Sequence, residues 1–163
     1  MSSASAVLSS PSVERVRRAL ERAGLAVEIV ELPGAARTAR AAAEFLGCEL
    51  AQIANSLVFR AGASESPVLV MSSGARRVDL GALERLLGEP VAKADADFVR
   101  AVTGFAIGGV PPFGHLLIMD TYLDEDFLRY ETIWAAAGTP NAIFELKTED
   151  LQKLTNGKVV QVK

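Results

Sequence analysis

The chain has 163 residues, of which 50% are hydrophobic and 23% are charged, and its formal net charge at pH 7 is −3. This length and composition predict a single ordinary domain with a real core. They exclude a disordered chain or a polyelectrolyte that binds nucleic acid by its overall charge.

The chain's one cysteine and one histidine exclude an internal disulfide and a His-rich metal site. No apolar run approaches the roughly 18 residues that a membrane span requires. The first residues, MSSASAVLSSPS, lack the basic segment and the long apolar core of a signal peptide. We therefore expect a soluble cytoplasmic protein that does not bind a membrane.

Helix caps and alternating apolar residues mark the elements of the first third of the chain. Small polar residues over 1–10 predict a flexible N-terminus, and the domain is expected to span 11–163. Ser10 followed by Pro11 is typical of a helix start, and Thr38 is a second candidate cap. The predicted elements in this part are a helix from Pro11 that Gly24 ends, a strand over 26–32, a helix after Thr38 that Gly47 ends, and a short helical piece over 49–54.

The rest of the chain alternates further strands and helices. SLVFRA and PVLVMS are apolar runs separated by a Gly/Ser/Glu turn, which predicts an antiparallel hairpin. The predicted elements that follow are a helix from Leu80 to Leu87 closed by Gly88, a helix that begins near Ala94, a strand LLIMD, a helical turn LDEDFLRY, strands TIWAAAG and NAIFEL, a last helix capped by Thr148 and a strand KVVQV. Because a hairpin requires an antiparallel pair, we expect a single α/β (α+β) domain with a mixed sheet and helices packed on it, rather than a doubly wound parallel sheet.

The common short catalytic motifs are absent from the sequence. There is no GxGxxG, no GxxxxGK[ST], no CxxC, no HExxH and no GxSxG, so nothing indicates a nucleotide phosphate loop, a zinc site or a nucleophile elbow. Cys48 follows the glycine that ends a predicted helix and has Glu49 beside it. It is interpreted as a structural cysteine rather than a protease nucleophile.

The segment TGFAIGGVPPFGH is the most informative stretch. Gly108 and Gly109 can adopt backbone angles closed to other residues, and Pro111 and Pro112 stiffen the chain after them. Such a loop can hold main-chain N–H and C=O groups toward a ligand with no side chain in between; a tight structural connector is the alternative. His115 ends the loop and is interpreted either as a satisfied structural histidine or as a site residue.

Three other polar stretches are candidate parts of a site. Asn55 and Ser56 lie between a short helical piece and an apolar strand, where side chains can point into a cleft. The stretch SSGARRVD offers two hydroxyls, a flexible glycine and two arginines that could grip a phosphate or a carboxylate, or simply form a solvated turn. In GTPNAIF, Thr139 flanks a rigid proline and lies either in a site or in a plain turn between strands.

These stretches together resemble the YbaK-type family, the free-standing relatives of the editing domain of bacterial prolyl-tRNA synthetase. The matching pieces occur in order and cover nearly the whole chain after residue 11. They are IVELPG, ARTARAAAEFLGC, QIANSLVFR, VLVMSSGARRVD, ADADFVRAVTGFAIGGVPPFGH, YLDEDFLRYETIWAAAGTPNAIFEL and LQKLTNGKVVQV. The run TGFAIGGVPPFGH with the later WAAAGTPNAIF is the most specific part of the resemblance.

The resemblance implies a mixed, barrel-like sheet wrapped by helices and the hydrolysis of the ester between a wrong amino acid and the terminal adenosine of a tRNA. It implies no metal and no organic cofactor. It also implies that the substrate's own ribose hydroxyl and an ordered water supply much of the chemistry, which would explain why the chain lacks a catalytic triad. The implied partners are the acceptor end of an aminoacyl-tRNA and, secondarily, an aminoacyl-tRNA synthetase. The implied substrate is tRNA-Pro or a related tRNA that carries a small amino acid of the Cys, Ala, Ser or Thr type.

Family positions correspond to particular residues of this chain. The family's GxxxP loop matches Gly108 to Pro112, whose backbone is expected to hold the aminoacyl group and the adenosine, and His115 matches a histidine near the amino-acid pocket. The implied site residues are Asn55, Gly108 and His115 for catalysis and Ser72, Ser73, Gly74, Gly109, Val110, Pro111, Pro112 and Thr139 for substrate binding.

Asn55 departs from the family pattern, which reads QIAKSLVF where this chain has QIANSLVF. An asparagine keeps hydrogen-bond donors and an acceptor but lacks the positive charge of a lysine. Three interpretations follow. The activity persists at a reduced rate; an arginine such as Arg76 or Arg77 supplies the charge for a different substrate; or the chemistry is lost and the chain is a silent domain that binds an aminoacyl-tRNA or a small ligand. A hydrolase of another small ester or amide is a further alternative.

Overall fold

A computed structural model of the chain describes residues 6–34, 36, 38–75 and 77–162, which fold as one α/β domain. In chain order its elements are α1 (Pro11–Arg22), β1 (Ile29–Glu31), α2 (Ala39–Leu46), a 3₁₀ helix (Leu50–Gln52), β2 (Ile53–Ala61), β3 (Pro67–Ser73), α3 (Leu80–Leu87), β4 (Val91–Lys93), α4 (Ala96–Thr103), β5 (Asp120–Asp124), a second 3₁₀ helix (Glu125–Arg129), β6 (Thr132–Ala136), β7 (Ala142–Lys147), α5 (Thr148–Thr155) and β8 (Lys158–Val160).

The eight strands form one mixed sheet, as the sequence predicted. Its order is β1-β7-β6-β2-β3-β5-β8, and β4 pairs separately with β2. Pairs β2/β3, β2/β4, β6/β7 and β1/β7 are antiparallel, whereas β2/β6, β3/β5 and β5/β8 are parallel. The expectation of a barrel-like sheet needs a correction, because the order ends in β1 and β8, two strands of three residues that do not pair with each other in the described structure, so the sheet stays open.

The two faces of the sheet carry different helices. Ala54 and Val58 of β2 point into the main core, to which α1, α4 and α5 contribute. Alternate residues of a strand point to opposite faces, so Ile53 and Phe59 share the other face. Ile53 packs in the cluster under α2, and Phe59 packs in the cluster that includes Leu83 of α3. This face therefore has a gap between α2 and α3.

Strand β2 also has a notch along one edge. On this edge β6 pairs only with Ile53 and Ala54, and β4 pairs only with residues 59–61. The residues between these two pairings, 55–58, lie beside the glycine-rich loop, because Ile107 and Val110 share a cavity of about 30 Å³ with residues 56–58. The fold thus brings the loop against the same part of β2 that floors the gap between the helices.

Local signals in the sequence predicted most of the elements correctly. Ser10 and Thr38 cap α1 and α2 by accepting hydrogen bonds from Val13 N at 3.3 Å and from Ala41 N at 3.1 Å. The predicted hairpin is β2 and β3, paired along their length. The strands TIWAAAG and NAIFEL are β6 and β7, which also pair antiparallel.

Some predicted elements differ from the structure. The strand predicted over LLIMD begins only at Asp120, and Leu116–Ile118 have exposed side chains outside the sheet, because the N–H groups of the two leucines donate to carbonyls at the end of α4. The strand predicted over 26–32 is only Ile29–Glu31, and β4 was not predicted. Thr148 is the first residue of α5 and Lys147 is its N-cap.

The flexible N-terminus over 1–10 stays a prediction, since residues 1–5 lie outside the described part. Within it, Val7 and Leu8 are half-buried against the main core. Among the described helices none is long and apolar enough to cross a membrane.

Candidate active site

Asn55 lies between two cavities on the face of the sheet that carries α2 and α3. It lines a small cavity of about 120 Å³ together with Gly108, and a larger one of about 620 Å³ together with Ser72 and Gly74. Its cross-strand partner in β3 is Ser72, so both side chains point to this face. The Asn55 side chain is half-buried and makes no hydrogen bond to any described residue. Its amide group is therefore available to a ligand.

The small cavity has an uncharged lining made mostly of small and apolar residues. Its described lining is Leu32, Ala36, Thr38, Ala39, Ala42, Ile53, Ala54, Asn55, Gly108, Ala136, Pro140, Ala142 and Ile143. None of these residues carries a charge, and six are alanines. At about 120 Å³ this cavity is much smaller than the neighbouring cavity of about 620 Å³, so it suits the smaller part of a ligand.

The larger cavity combines apolar walls with positive charge. Its described lining is Asn55, Leu57, Phe59, Ser72, Gly74, Ala75, Arg77, Val78, Leu80 and Lys93. Arg77 follows β3 in the SSGARRVD stretch, and Lys93 ends β4. The two cavities meet at Asn55, so a ligand that spans them would pass this side chain.

The glycine-rich loop presents main chain to the small cavity. Gly108 is exposed and has φ +88°, a left-handed conformation that suits glycine. Its N–H group donates to no acceptor among the described residues. Gly109 holds the loop in place, because its carbonyl accepts from Gly138 N at 2.9 Å and a β-carbon on Gly109 would lie 2.5 Å from the Gly138 oxygen.

Val110, Pro111 and Pro112, the remaining predicted substrate-binding residues of the loop, are buried. Val110 belongs to the main core. These buried residues anchor the loop to the rest of the domain, whereas Gly108 is the residue of the loop that lines the small cavity beside Asn55.

Ser72, Ser73 and Gly74 at the end of β3 have different roles: Ser72 and Gly74 line the larger cavity, and Ser73 makes structural hydrogen bonds. Ser73 is fully buried, its N–H donates to Asp124 Oδ2 at 2.9 Å, and its hydroxyl donates to Ala51 O at 2.9 Å. Gly74 N donates to Ile53 O at 2.8 Å, which ties the end of β3 to the start of β2.

Thr139 lies in the turn between β6 and β7. Its Oγ1 accepts a hydrogen bond from Asn141 N at 3.3 Å, and its carbonyl accepts one from Ala142 N at 3.2 Å. The neighbouring Pro140, not Thr139, lines the small cavity. Thr139 therefore shapes the turn that presents Pro140.

His115 is tied to its own loop. Its Nε2 lies 2.6 Å from the Pro111 carbonyl oxygen, and the ring is half-buried. Burial lowers the pKa of His115 below its ordinary value of 6.5, and the bond to Pro111 opposes this shift only partly. Because a carbonyl oxygen can only accept, the nitrogen that bonds it, Nε2, is the donor. His115 is not among the residues that line the two cavities beside Asn55.

His115 should make the stability of the protein depend on pH. Its pKa is lower in the folded state, so below about pH 6.5 the unfolded chain binds more protons and the folded state loses relative stability. We expect the urea concentration at the unfolding midpoint to decrease when the pH is lowered from about 7.5 to about 5.5. Because His115 is the one histidine of the chain, His115→Gln should remove most of this decrease. An equal decrease in the variant would contradict the assignment.

The structure brings together four of the predicted catalytic and substrate-binding residues, Asn55, Gly108, Ser72 and Gly74, around the two cavities. Arg77 lines the larger cavity, whereas Arg76 lies outside the described residues. The sequence did not indicate Lys93 or the alanines of α2, because lining residues drawn from separate elements leave no local pattern. Cys48 is half-buried against the cluster under α2, and burial raises the pKa of its thiol, as suits a structural cysteine.

Known proteins resemble this chain over most of its length. The profile of the "Aminoacyl-tRNA editing domain" family matches residues 34–154. The "Uncharacterized protein YwhH" of Bacillus subtilis (strain 168) is 31% identical over 132 residues, which are 81% of this chain and 83% of that protein.

Two further relatives carry functional names. The "Putative Cys-tRNA(Pro)/Cys-tRNA(Cys) deacylase EbsC" of Enterococcus faecalis (strain ATCC 700802 / V583) is 32% identical over 126 residues, 77% of this chain and 76% of that protein. The crystal structure of "a putative trans-editing enzyme for prolyl tRNA synthetase" is 47% identical and has a TM-score of 0.89, with 94% of this chain and 98% of that chain covered.

Proposed function

Because the chain belongs to the aminoacyl-tRNA editing domain family, we propose that it is a trans-acting deacylase that hydrolyses mischarged aminoacyl-tRNA. It hydrolyses the ester between the wrong amino acid and the terminal adenosine after the tRNA has dissociated from the synthetase. The alternative of a catalytically silent domain, which Asn55 had suggested, gains no support from the relatives, since two of them are named for deacylation or editing.

The observation that carries the proposal is that Asn55 and Gly108 line one small cavity at the point where it meets a larger one. An aminoacyl-adenosine has the matching form, a small side chain joined through an ester to a nucleoside. We place the aminoacyl group in the small cavity, the ester at Asn55 and Gly108, and the nucleoside in the larger cavity.

The reaction needs little from ionisable side chains. A water oxygen attacks the ester carbonyl carbon, the bond to the ribose oxygen breaks, and the ribose hydroxyl leaves with a proton. We assign to the Gly108 N–H, which donates to no described acceptor, the stabilisation of the negative charge that develops on the carbonyl oxygen. Asn55 orients the carbonyl or the water, and the neighbouring ribose hydroxyl assists proton transfer.

The size of the small cavity supports a small acyl group, and the names of the relatives support the choice of tRNA and partner. A volume of about 120 Å³ with uncharged walls suits Ala, Ser, Cys or Thr. We propose that the protein meets the acceptor end of tRNA-Pro or a related tRNA in the cytoplasm, where a prolyl-tRNA synthetase is a candidate partner.

The direct test is to charge tRNA-Pro separately with Ala, Cys, Ser, Thr and proline and to follow loss of each ester after addition of the protein. We expect rapid loss of at least one of the four small esters and no acceleration for the prolyl ester. The proposal is wrong if no ester is lost faster than in the absence of protein.

Ala136→Val should shrink the small cavity and change the preference for the amino acid. One mismatched methylene in an apolar pocket lowers kcat/KM about tenfold or more. We expect the larger acyl groups, such as Thr, to lose at least this much and alanyl-tRNA to lose less. Ala92→Val is the matched control, because Ala92 is an exposed strand residue that lines neither cavity. Uniform loss across all esters would contradict the placement of the aminoacyl group.

A further inference from the structure

The larger cavity carries positive charge that no acidic residue of its described lining balances. Arg77 and Lys93 both line it, and no described lining residue is acidic. Neither side chain forms an ion pair or a hydrogen bond with a described residue. In a chain with a net charge of −3, two cations on one cavity that pair with no described residue favour the binding of an anion there.

Strand pairing fixes where Lys93 stands relative to Asn55. Lys93 is the cross-strand partner of Phe59, so it shares a sheet face with Phe59, Leu57 and Asn55. Asn55 precedes Phe59 by four residues, which is about 13 Å along a strand. Lys93 therefore lies at the end of the cavity away from the ester position, with the apolar side chains of Leu57 and Phe59 on the floor between them.

We propose that Lys93, together with Arg77, binds the phosphodiester that joins the terminal nucleotide to the rest of the tRNA. The inference rests on the proposed function, which places the nucleoside in this cavity. The lysine ammonium acts as a point charge on the phosphate, and the guanidinium can bond two phosphate oxygens. Lys93 in this way supplies the positive charge that Asn55 does not.

The position of Lys93 also predicts which kinetic constant it controls. A contact far from the reacting carbonyl stabilises the bound substrate and the transition state equally, so its loss raises KM and leaves kcat nearly unchanged. A contact at the ester would lower kcat instead.

The test compares two small substrates, the alanyl ester of 5′-AMP and the alanyl ester of adenosine, which differ only in the phosphate. We expect Lys93→Met to lower kcat/KM for the AMP ester about tenfold, through KM, and to leave the adenosine ester unchanged. Lys93→Arg should keep most of the activity on the AMP ester. Lys153→Met is the matched control, because Lys153 is an exposed lysine of α5, which packs on the opposite face of the sheet. Equal losses on both esters, or none on the AMP ester, would overturn the proposal.

A binding measurement separates this inference from the proposed function. If neither ester is hydrolysed, calorimetry with unacylated 5′-AMP and adenosine still applies to the intact protein. We expect 5′-AMP to bind about tenfold more tightly than adenosine at low salt, and Lys93→Met to abolish the difference. Equal affinities in the unmodified protein, or no binding of 5′-AMP, would overturn the phosphate site.

Discussion

Replacing Gly108 with alanine is expected to lower kcat/KM for deacylation about a hundredfold or more. Gly108 has φ +88°, and an L-residue in this region costs about 1–2 kcal/mol. The new β-carbon would also lie 3.2 Å from Pro140 Cγ, at the small cavity that both residues line. Either the loop shifts or the methyl group enters the cavity. A shift of the loop moves an N–H donor of the kind whose loss costs about 10²–10³ in rate at an oxyanion, and a methyl group in the cavity obstructs the aminoacyl group.

Gly88→Ala is the control for backbone strain in the Gly108 experiment. Gly88 ends α3 with φ +75°, and nothing lies within 4 Å of a β-carbon placed on it. The control should lower the free energy of unfolding by about 1 kcal/mol, as Gly108→Ala does, and should leave kcat/KM unchanged. If both variants keep full activity, the Gly108 amide takes no part in the transition state.

The parts of the fold that the sequence predicted well are those with short-range causes. A serine or threonine cap bonds a residue three positions later, and Gly47 and Gly88 end their helices in the left-handed conformation. The β2/β3 hairpin follows from two apolar runs around one turn. In each case the relevant partners are close along the chain.

The predictions that were wrong depended on distant partners. LLIMD has the composition of a buried strand, yet the hydrogen bonds of its two leucines go to the end of α4, and the sheet begins at Asp120. Asn55 was expected just before a strand, but it is the third residue of β2. The strand begins earlier because β6 pairs with Ile53 and Ala54, and β3 pairs from Ala54 onward. Closure into a barrel depends on whether the end strands meet, which no local pattern encodes.

The candidate site shows the same division. The glycine and proline loop could be recognised because its backbone chemistry is contained in one segment. The two cavities could not be recognised from the sequence, because their lining residues come from separate elements. Lys93 belongs to β4, Arg77 to the loop after β3, and Pro140 to the turn between β6 and β7. The sequence around Lys93, VAKADAD, contains no recognisable motif. Only the pairing of Lys93 with Phe59 shows that it lies on the same face of the sheet as Asn55.

Asn55→Ala should lower kcat/KM about tenfold to a hundredfold while the protein stays folded. The Asn55 side chain bonds no described residue, so its removal breaks no structural hydrogen bond, and the urea midpoint should change little. A neutral hydrogen bond contributes about 0.5–1.5 kcal/mol, which is up to about tenfold in rate, and more if the contact tightens in the transition state. The measurement is kcat and KM with the best ester of the tRNA panel.

Asn55→Asp and Ser56→Ala decide what the Asn55 amide does. Aspartate has the same shape but only accepts hydrogen bonds, so it should lose as much activity as alanine if the amide NH₂ donates to the carbonyl or the water. Ser56 is the next residue, on the opposite face, where its hydroxyl lies 3.1 Å from Met71 Sδ, and its replacement should leave kcat/KM unchanged. Full activity of Asn55→Ala would mean that the Gly108 amide and the ribose hydroxyl suffice. An asparagine could then stand at this position without loss if, as we propose, Lys93 and Arg77 supply the positive charge that binds the tRNA.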